Sequence, residues 1–306
     1  MRDLLFGFDV GGTKIELALL SLQSEVVWRK RMPTPKEDYA ATLQTINDLL
    51  EDALHALDLT TPPVIGFGIP GCLDPKTQVV RGANSQVLNG KALKADLEAR
   101  LKTRVVLEND ANCLTLSESV DGAARGMQTV FGVILGTGCG GGVVFNGQIW
   151  TGANHLAGEW GHTPLPLALE KEKRSKACWC KRDNCLERWL SGPAFKEEHE
   201  LSSGQSMAPA LVVEAMRQGE PQATLSFDRY VDRLARGLAQ IINTLDPNCI
   251  VIGGGMSNVT ELYPALRRQI MHYTFAPAEN TQVLQALHGD SSGVRGAAWL
   301  GRSGLG

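Results

Sequence analysis

The sequence lacks several features that would assign it to a specialised class of protein. Its longest apolar runs, such as residues 130–135 and 250–252, have the length of a strand. That is far below the roughly 20 residues needed to cross a bilayer. Basic residues are not in excess, because 30 Lys and Arg stand against 33 Asp and Glu for a net charge of -3. We therefore expect neither a membrane protein nor a protein whose main partner is nucleic acid.

The sequence also lacks an obvious leader and has little cysteine outside one cluster. Residues 1–5 carry an acid and run within a few positions into glycines, which is not the pattern of a signal peptide. We expect a cytoplasmic protein on this basis. Of the seven cysteines, three lie close together at Cys178, Cys180 and Cys185. In a reducing compartment such a cluster of cysteines favours a metal site over a disulfide.

The length and the pattern of apolar residues predict an α/β protein of two lobes. A chain of 306 residues exceeds the size at which one core stops growing. Apolar spacing predicts helices over residues 38–57, 93–101, 111–120, 207–217, 223–245, 262–271 and 293–300. Strands are expected over residues 4–10, 15–20, 64–69, 105–107, 130–135, 143–145 and 249–252.

A unit of strand, glycine turn and strand occurs twice, once near each half's start. We therefore place an N-terminal lobe at residues 1–122, completed by about 288–306, and a C-terminal lobe at residues 123–287. The final helix is expected to return and pack on the first lobe.

The first glycine turn offers backbone N–H groups to an anion. It contains Gly11, Gly12, Thr13 and Lys14 and follows Asp9 at the end of a strand. Glycine lets phosphate oxygens approach the backbone, and Asp9 is suited to hold Mg²⁺. The spacing before the lysine is not that of a Walker motif. A plain hairpin turn with an exposed lysine remains the alternative.

A second and a third glycine turn follow later strands. Five glycines lie within residues 136–142, and backbone entropy makes such a run costly if it serves only to turn. We predict phosphate binding there, by Gly136, Thr137 and Gly138. The run Gly253, Gly254 and Gly255 would let a nucleotide base or ribose lie against the backbone, although a tight turn explains it equally well.

A carboxylate and an amide lie between a predicted strand and a predicted helix. Asp110 is placed to accept a proton from an attacking hydroxyl, and Asn109 to hydrogen-bond a neighbouring hydroxyl. The alternative is a helix N-cap formed by one of the two. Phosphoryl transfer needs mainly positioning, charge neutralisation and a base, which the glycine turns and the two aspartates would supply.

Three thiols and one imidazole match a closed tetrahedral zinc site. His162, Cys178, Cys180 and Cys185 would be the ligands, and the zinc would be structural. Such a metal would bring Glu159 and Glu187 together as acceptors for the hydroxyls of a polyol. Cysteines merely scattered in a loop are the alternative.

Taken together, these motifs resemble the ROK family of sugar kinases and repressors, in the superfamily of hexokinase, Hsp70 and actin. The resemblance spans Asp9 to Trp299 and implies a two-lobed actin-like ATPase fold with a zinc-binding loop. It implies that Asp110 is the catalytic base and that Mg²⁺ accompanies ATP. It also implies a homodimer. The implied sugar-binding residues are Asn84, Asn109, Asp110, Glu159, His162 and Glu187.

Within the family, residues 82–90 and 288–299 resemble bacterial fructokinases, which implies phosphorylation of D-fructose to fructose 6-phosphate. An N-acetylglucosamine, glucose or mannose kinase is the alternative. A non-catalytic sugar sensor or a repressor is a further one, but repressors of this family carry a DNA-binding domain before the first glycine turn, where only eight residues precede Asp9. One departure concerns Lys181 and Asn184, which stand where the family's cysteine loop commonly has glycine.

Overall fold

The computed structural model describes residues 4–35, 37–83, 85–173 and 176–303. The first part of the chain alternates strands and helices, as the sequence predicts. In chain order its elements are β1 (Leu4–Val10), β2 (Lys14–Ser21), β3 (Val26–Pro33), α1 (Tyr39–Ala56), β4 (Ile65–Ile69), β5 (Cys72–Leu73), β6 (Val80–Arg81), α2 (Leu93–Leu101), β7 (Val105–Asn109) and α3 (Asp110–Val120).

The second part again starts with a pair of strands and then becomes richer in helix. In chain order its elements are β8 (Thr129–Leu135), β9 (Cys139–Phe145), β10 (Gln148–Ile149), α4 (Glu187–Leu190), α5 (Gly192–Ser203), α6 (Pro209–Arg217), α7 (Pro221–Leu245), β11 (Cys249–Gly253), α8 (Leu262–Ile270), β12 (Gln282–Gln285) and α9 (Ser292–Ser303). Among the residues described, none of these helices is both long and apolar enough to cross a membrane.

Two sheets of the same design form the centre of the molecule. Their strand orders are β3-β2-β1-β4-β7 and β10-β9-β8-β11-β12. In each sheet the glycine hairpin pairs antiparallel, and the first strand of that hairpin then pairs parallel with the next strand. The predicted repeat of strand, glycine turn and strand is confirmed. The strands of the first sheet fall within residues 1–122 and those of the second within 123–287, and the lobe boundaries themselves stay a prediction.

The C-terminal helix α9 packs on β1 and β4 and also against α3. Glycine permits this close packing on both sides of the helix. A Cβ added at Gly66 would lie 1.8 Å from the carbonyl oxygen of Ala297, and one added at Gly296 would lie 1.7 Å from that of Cys113. The expectation that the tail returns to the first sheet is therefore confirmed.

Helix α3 reaches from the first sheet to the second because glycines on the second sheet leave room for it. A Cβ at Gly132 would lie 1.9 Å from Oγ1 of Thr115, and one at Gly142 would lie 2.5 Å from the same atom. The helix thus packs directly on β8 and β9. Its first residue, Asp110, is thereby placed opposite the second glycine turn.

Candidate active site

Two acidic strand ends meet at one edge of the first sheet. Strands β1, β4 and β7 run parallel, with Asp9 beside Gly68 and Ile69 beside Asn109. Because the carboxyl ends of parallel strands share an edge, Asp9 and the Asn109–Asp110 pair face the same space. Asp110 lines the cleft described below, and it lies close enough to Asp9 for the two carboxylates to influence each other.

The first glycine turn is tight and holds Asp9 against α9. The backbone N–H of Gly11 donates to the carbonyl of Lys14 at 2.9 Å. A Cβ added at Gly293, in the first turn of α9, would lie 3.1 Å from Oδ2 of Asp9. Burial raises the pKa of Asp9 to about 7, and the charge of Asp110 adds to this effect. The buried, ionised carboxylate of Asp9 would be stabilised by a bound cation, which suits the predicted magnesium.

Asn109 serves both as a helix cap and as a side chain of the cleft. Its Oδ1 accepts from the backbone N–H of Ala111 at 2.8 Å, which caps α3, and its Nδ2 donates to the carbonyl of Gly71 at 3.0 Å. The capping alternative is therefore correct for Asn109. It does not compete with a binding role, because the amide keeps a second N–H and a second lone pair and Asn109 lines the cleft.

Asp110 is a carboxylate of raised basicity. Burial raises its pKa from 3.8 to about 6, the hydrogen bond from Ala111 opposes the rise, and the charge of Glu159 adds to it. A base with a pKa slightly below neutral is ionised at pH 7 and still accepts a proton from a hydroxyl in the transition state. These properties are compatible with a general base, and that assignment of Asp110 stays a prediction.

A cleft of about 300 Å³ brings most of the predicted sugar-binding residues together. Its walls come from both sheets and from the cysteine loop. The predicted residues that line it are Asn109, Asp110, Thr137, Gly138, Glu159, His162 and Glu187. Asn84 lies outside the described residues.

Glu159 and His162 reach the cleft because a short 3-10 helix, Glu159–His162, is pressed onto β9. A Cβ at Gly161 would lie 1.8 Å from the carbonyl oxygen of Cys139, so only glycine fits there. The buried ring of Trp160 anchors the turn, since its Nε1 donates to the carbonyl of Gly140 at 2.8 Å. This packing explains the Gly-Glu-Trp-Gly-His sequence.

Glu187, the first residue of α4, joins the cysteine loop to the second glycine turn. Its Oε2 accepts from the backbone N–H of Cys139 at 3.1 Å, and its Oε1 accepts from Nε1 of Trp179 at 2.7 Å. A carboxylate has about four lone-pair sites, so acceptor capacity remains for a sugar hydroxyl. The sequence interpretation missed the part played by Trp179, and its position between two cysteines gave no signal of it.

The glycine run at residues 136–142 is only partly a turn. Strand β9 begins at Cys139, so the turn ends earlier than expected and Gly140 to Gly142 belong to the strand. A Cβ at Gly141 would lie 2.7 Å from the ring of Trp160. Gly141 and Gly142 make room for the 3-10 helix and for α3, so packing explains part of the run whose entropy cost was taken to indicate phosphate binding. Gly136, Thr137 and Gly138 keep that assignment as a prediction.

The third glycine turn lies beside the second, because Gly253 at the end of β11 pairs with Ile134 of β8. A Cβ at Gly254, where φ is +81°, would lie 2.6 Å from the carbonyl oxygen of Leu135. Packing therefore explains these two glycines. Gly255 faces open space, and contact with a nucleotide stays a prediction there.

The predicted zinc ligands form one cluster. The ligand atoms of His162, Cys178, Cys180 and Cys185 all lie within 4.8 Å of one another. Nδ1 of His162 is 3.7 Å from Sγ of Cys178, and Sγ of Cys180 is 3.5 Å from that of Cys185. Tetrahedral bonds of ~2.3 Å to sulfur require edges of about 3.8 Å, so the four residues fit zinc.

Two positions of the cysteine loop have the left-handed backbone that favours glycine. Lys181 has φ of +69° and Asn184 has φ of +58°. The two residues that replace the family's usual glycines therefore adopt the left-handed conformation although neither is a glycine. Asn184 offsets the strain, because its Oδ1 accepts from the backbone N–H of Lys176 at 3.0 Å.

We expect Lys181→Gly to stabilise the protein by up to about 1 kcal/mol, because it relieves the left-handed strain of a long side chain. Thermal unfolding at a fixed metal concentration measures this. Lys173→Gly is the matched control, since Lys173 has φ of -79° and gains nothing from glycine. A lower melting temperature for Lys181→Gly, or an equal gain for Lys173→Gly, would contradict this reasoning.

Comparisons with known proteins identify the family. Residues 5–303 match the ROK family. An N-acetyl-D-glucosamine kinase of Photobacterium profundum is 38% identical over 299 residues, which cover 96% of this chain and 98% of the relative. Kinases of the same description in Yersinia enterocolitica and Vibrio cholerae also share 38% identity.

Solved structures support the same fold. A ROK hexokinase from Thermus thermophilus superimposes with a TM-score of 0.85 at 27% identity, covering 99% of both chains. A ROK glucokinase from Streptomyces griseus, in complex with glucose and AMPPNP, gives a TM-score of 0.81 at 28% identity, covering 98% of this chain and 99% of that chain. The resemblance to fructokinases finds no support in these relatives, which support the alternative instead. By its sequence over almost its whole length and by its two-lobed actin-like fold, the chain belongs to the ROK family.

Proposed function

We propose that the protein is an N-acetylglucosamine kinase that transfers the γ-phosphoryl group of ATP to the primary hydroxyl of the sugar. The coarser statement, that it is an ATP-dependent sugar kinase, follows from its family and its kinase relatives. The choice of sugar rests on the relatives named N-acetyl-D-glucosamine kinase, which are 38% identical over 96% of the chain.

The observation that carries the catalytic part is the position of Asp110 in the cleft. It is a carboxylate with a pKa of about 6, on the side of the cleft that faces the second glycine turn. In the proposed reaction the sugar hydroxyl donates its proton to Asp110, the hydroxyl oxygen bonds to the γ-phosphorus, and ADP leaves. Asn109 orients the sugar through the amide that also caps α3.

The first glycine turn would contact the phosphates on one side of the transferred group, and the second glycine turn would contact them on the other side. Mg²⁺ would neutralise charge on them, with Asp9 as its protein ligand, directly or through water. Zinc would be held by His162 through Nδ1 and by the three cysteines, which leaves Nε2 of His162 free to face the cleft. Its function would be structural, because the four ligands close its coordination shell.

A panel of sugars tests the proposal. Purified protein with Mg·ATP is expected to phosphorylate N-acetylglucosamine with a kcat/KM at least about tenfold above that for glucose, mannose or fructose, the order of discrimination that one substituent supplies. ADP release measured for each sugar gives the comparison, and a no-sugar reaction is the control. Equal or higher kcat/KM for another hexose would overturn the choice of sugar, and absence of turnover with every sugar would overturn the kinase itself.

A further inference from the structure

We propose that Leu156 and Trp179 form an apolar shelf at the mouth of the cleft and that this shelf receives the acetamido group of the sugar. The inference rests on the proposed function, because it requires a hexosamine bound with its primary hydroxyl at Asp110. It adds residues that set specificity, which none of the sequence motifs included.

The shelf is an extension of the cleft on one side. A hollow of about 450 Å³ shares Gly71, Gly82, Glu159, His162 and Trp179 with the cleft. It includes neither Asn109 nor Asp110, and it adds Leu156 and Thr163 among others. The hollow therefore continues the cleft away from the proposed base.

Ring geometry directs the 2-substituent of a hexosamine toward this side. In a pyranose ring, carbon 2 lies directly across from carbon 5, which carries the primary hydroxymethyl group. A sugar with that hydroxyl at Asp110 therefore points its 2-substituent toward the wall opposite Asp110. His162 and Glu159 line both the cleft and the hollow, so in the proposed binding mode the 2-substituent passes them to reach the shelf.

The chemical character of the shelf suits an acetamide. Leu156 and Trp179 are both 51% exposed and line the same hollow, so a bound methyl group would remove apolar surface from water. The methyl group of the acetamide would cover them. At the border, the carboxylate of Glu159 is an acceptor for the amide N–H, and Nε2 of His162 is placed to donate to its carbonyl oxygen.

The shelf is held by contacts that connect it to the rest of the site. The ring of Trp179 packs edge-to-face on His162, with centroids 4.9 Å apart, and its N–H is bonded to Glu187. The loop that carries Leu156 is tied to the separate two-stranded sheet of β5 and β6, because Nη2 of Arg81 donates to the carbonyl of Asn154 at 2.6 Å. Arg81 is thus a positioning residue for the shelf.

A second cavity competes for the acetamide and is less suitable. It has a volume of about 50 Å³, lies behind Asn109 and is lined by Glu108, Asn112 and His155 among others. Oδ1 of Asn112 is buried there without a protein partner, which suits an ordered water. Polar side chains form much of its lining, so a methyl group is less well matched there than on the shelf, and the volume would limit the length of any acyl group.

The first experiment compares Leu156→Ala with the matched control Leu211→Ala, a leucine 57% exposed on α6. The readout is the ratio of kcat/KM for N-acetylglucosamine to kcat/KM for glucose. If glucose acts only as a competitive inhibitor, the readout is the ratio of its Ki to the KM for N-acetylglucosamine. We expect Leu156→Ala to lower this ratio about fivefold or more, mainly through KM. Leu156→Met should restore it, and Leu211→Ala should leave it unchanged. Trp179 is not the test residue, because its substitution would also release Glu187.

The second experiment varies the acyl group on wild-type protein. An open apolar shelf accepts N-propionyl and N-butanoyl glucosamine with KM values within about threefold of that for the N-acetyl sugar. An enclosed pocket of the size found behind Asn109 would raise KM by tenfold or more for each longer chain. The second result would overturn the shelf.

The outcomes separate the two proposals. If wild-type protein phosphorylates N-acetylglucosamine and Leu156→Ala reduces both sugars equally, the shelf is wrong and the proposed function stands. If wild-type protein phosphorylates glucose but not N-acetylglucosamine, the choice of sugar falls, and the shelf falls with it.

Discussion

Replacing Asp110 by asparagine is expected to lower kcat by roughly 10²- to 10⁴-fold, the usual contribution of a general base. Asparagine keeps the size of the side chain and can still accept from the backbone N–H of Ala111, which bonds Oδ1 of Asp110 at 2.8 Å. Sugar binding measured by calorimetry should therefore change little. ADP release at saturating sugar and ATP measures the effect, and near-normal turnover would remove Asp110 from its proposed position as base.

The same substitution is expected to make the protein more stable at pH 7. The pKa of Asp110 is raised from 3.8 to about 6, so its ionised form costs folding free energy at neutral pH. We expect a gain of about 1–2 kcal/mol for Asp110→Asn, allowing for partial exposure of the carboxylate. This cost disappears as the pH falls toward 3.8, the pKa of the carboxyl group in the unfolded chain. The unfolding free energies of wild type and variant should therefore converge near pH 4. A variant that is inactive and more stable would exclude misfolding as the cause of inactivity.

Asp52→Asn is the matched control for both measurements. Its carboxylate is 46% exposed on α1 and forms a surface ion pair with Lys30 at 2.6 Å. Such a pair contributes little, so this variant should keep its kcat and lose no more than about 1 kcal/mol of stability.

The pH profile of kcat/KM is a second, independent test of the Asp110 carboxyl group. Protonated Asp110 cannot accept a proton, so activity should fall as the pH drops through about 6. Asp9, with a pKa of about 7 in the absence of a cation, is coupled to it, and bound Mg²⁺ should lower the pKa of Asp9. The acidic limb should therefore move to lower pH and approach the slope of a single ionisation as Mg²⁺ is raised. In Asp110→Asn the limb assigned to the base should be absent.

The positions of the proposed catalytic residues were predictable from the sequence because they follow from local structure. A short apolar strand followed by Asn109, Asp110 and an apolar helix places both residues at a strand end, whatever the rest of the chain does. Asp9 follows from the same logic at the end of β1. The structure adds the reason for the raised pKa of Asp110: burial raises it most, and the charge of Glu159, from a distant segment, adds to the rise.

Features that depend on packing between distant segments were not predictable. The glycines of β9 were interpreted as a ligand-binding turn, although Trp160 and α3 are what require them. Strand β3 was missed because most of its residues are exposed and its apolar residues do not alternate. Helix α5 was missed because it follows directly on a segment without regular spacing. Leu156 carries no motif, and only the folded loop places it beside Trp179.

Removing the proposed zinc from the cysteine loop is expected to abolish sugar binding before the protein unfolds. Trp179 lies between two of the predicted ligands, and its indole N–H holds Glu187, whose other oxygen accepts from the backbone of Cys139. A loosened loop would release this chain of contacts and misplace His162 and Glu187 in the cleft. We expect Cys180→Ser to raise the KM for sugar by about 100-fold or more. Cys180 is partly exposed, so the core should tolerate serine.

Metal analysis of wild-type protein should give one zinc per chain, and of Cys180→Ser much less. A zinc-selective chelator in saturating Mg²⁺ should reproduce the rise in KM, with circular dichroism showing the helices intact, and added Zn²⁺ should reverse it. Asp183→Asn is the matched control, because this exposed residue lies in the same loop without belonging to the cluster. It should keep both zinc and sugar affinity. Full sugar affinity in metal-free protein would show that the four clustered side chains do not position Glu187, and that the loop holds its shape through backbone contacts alone.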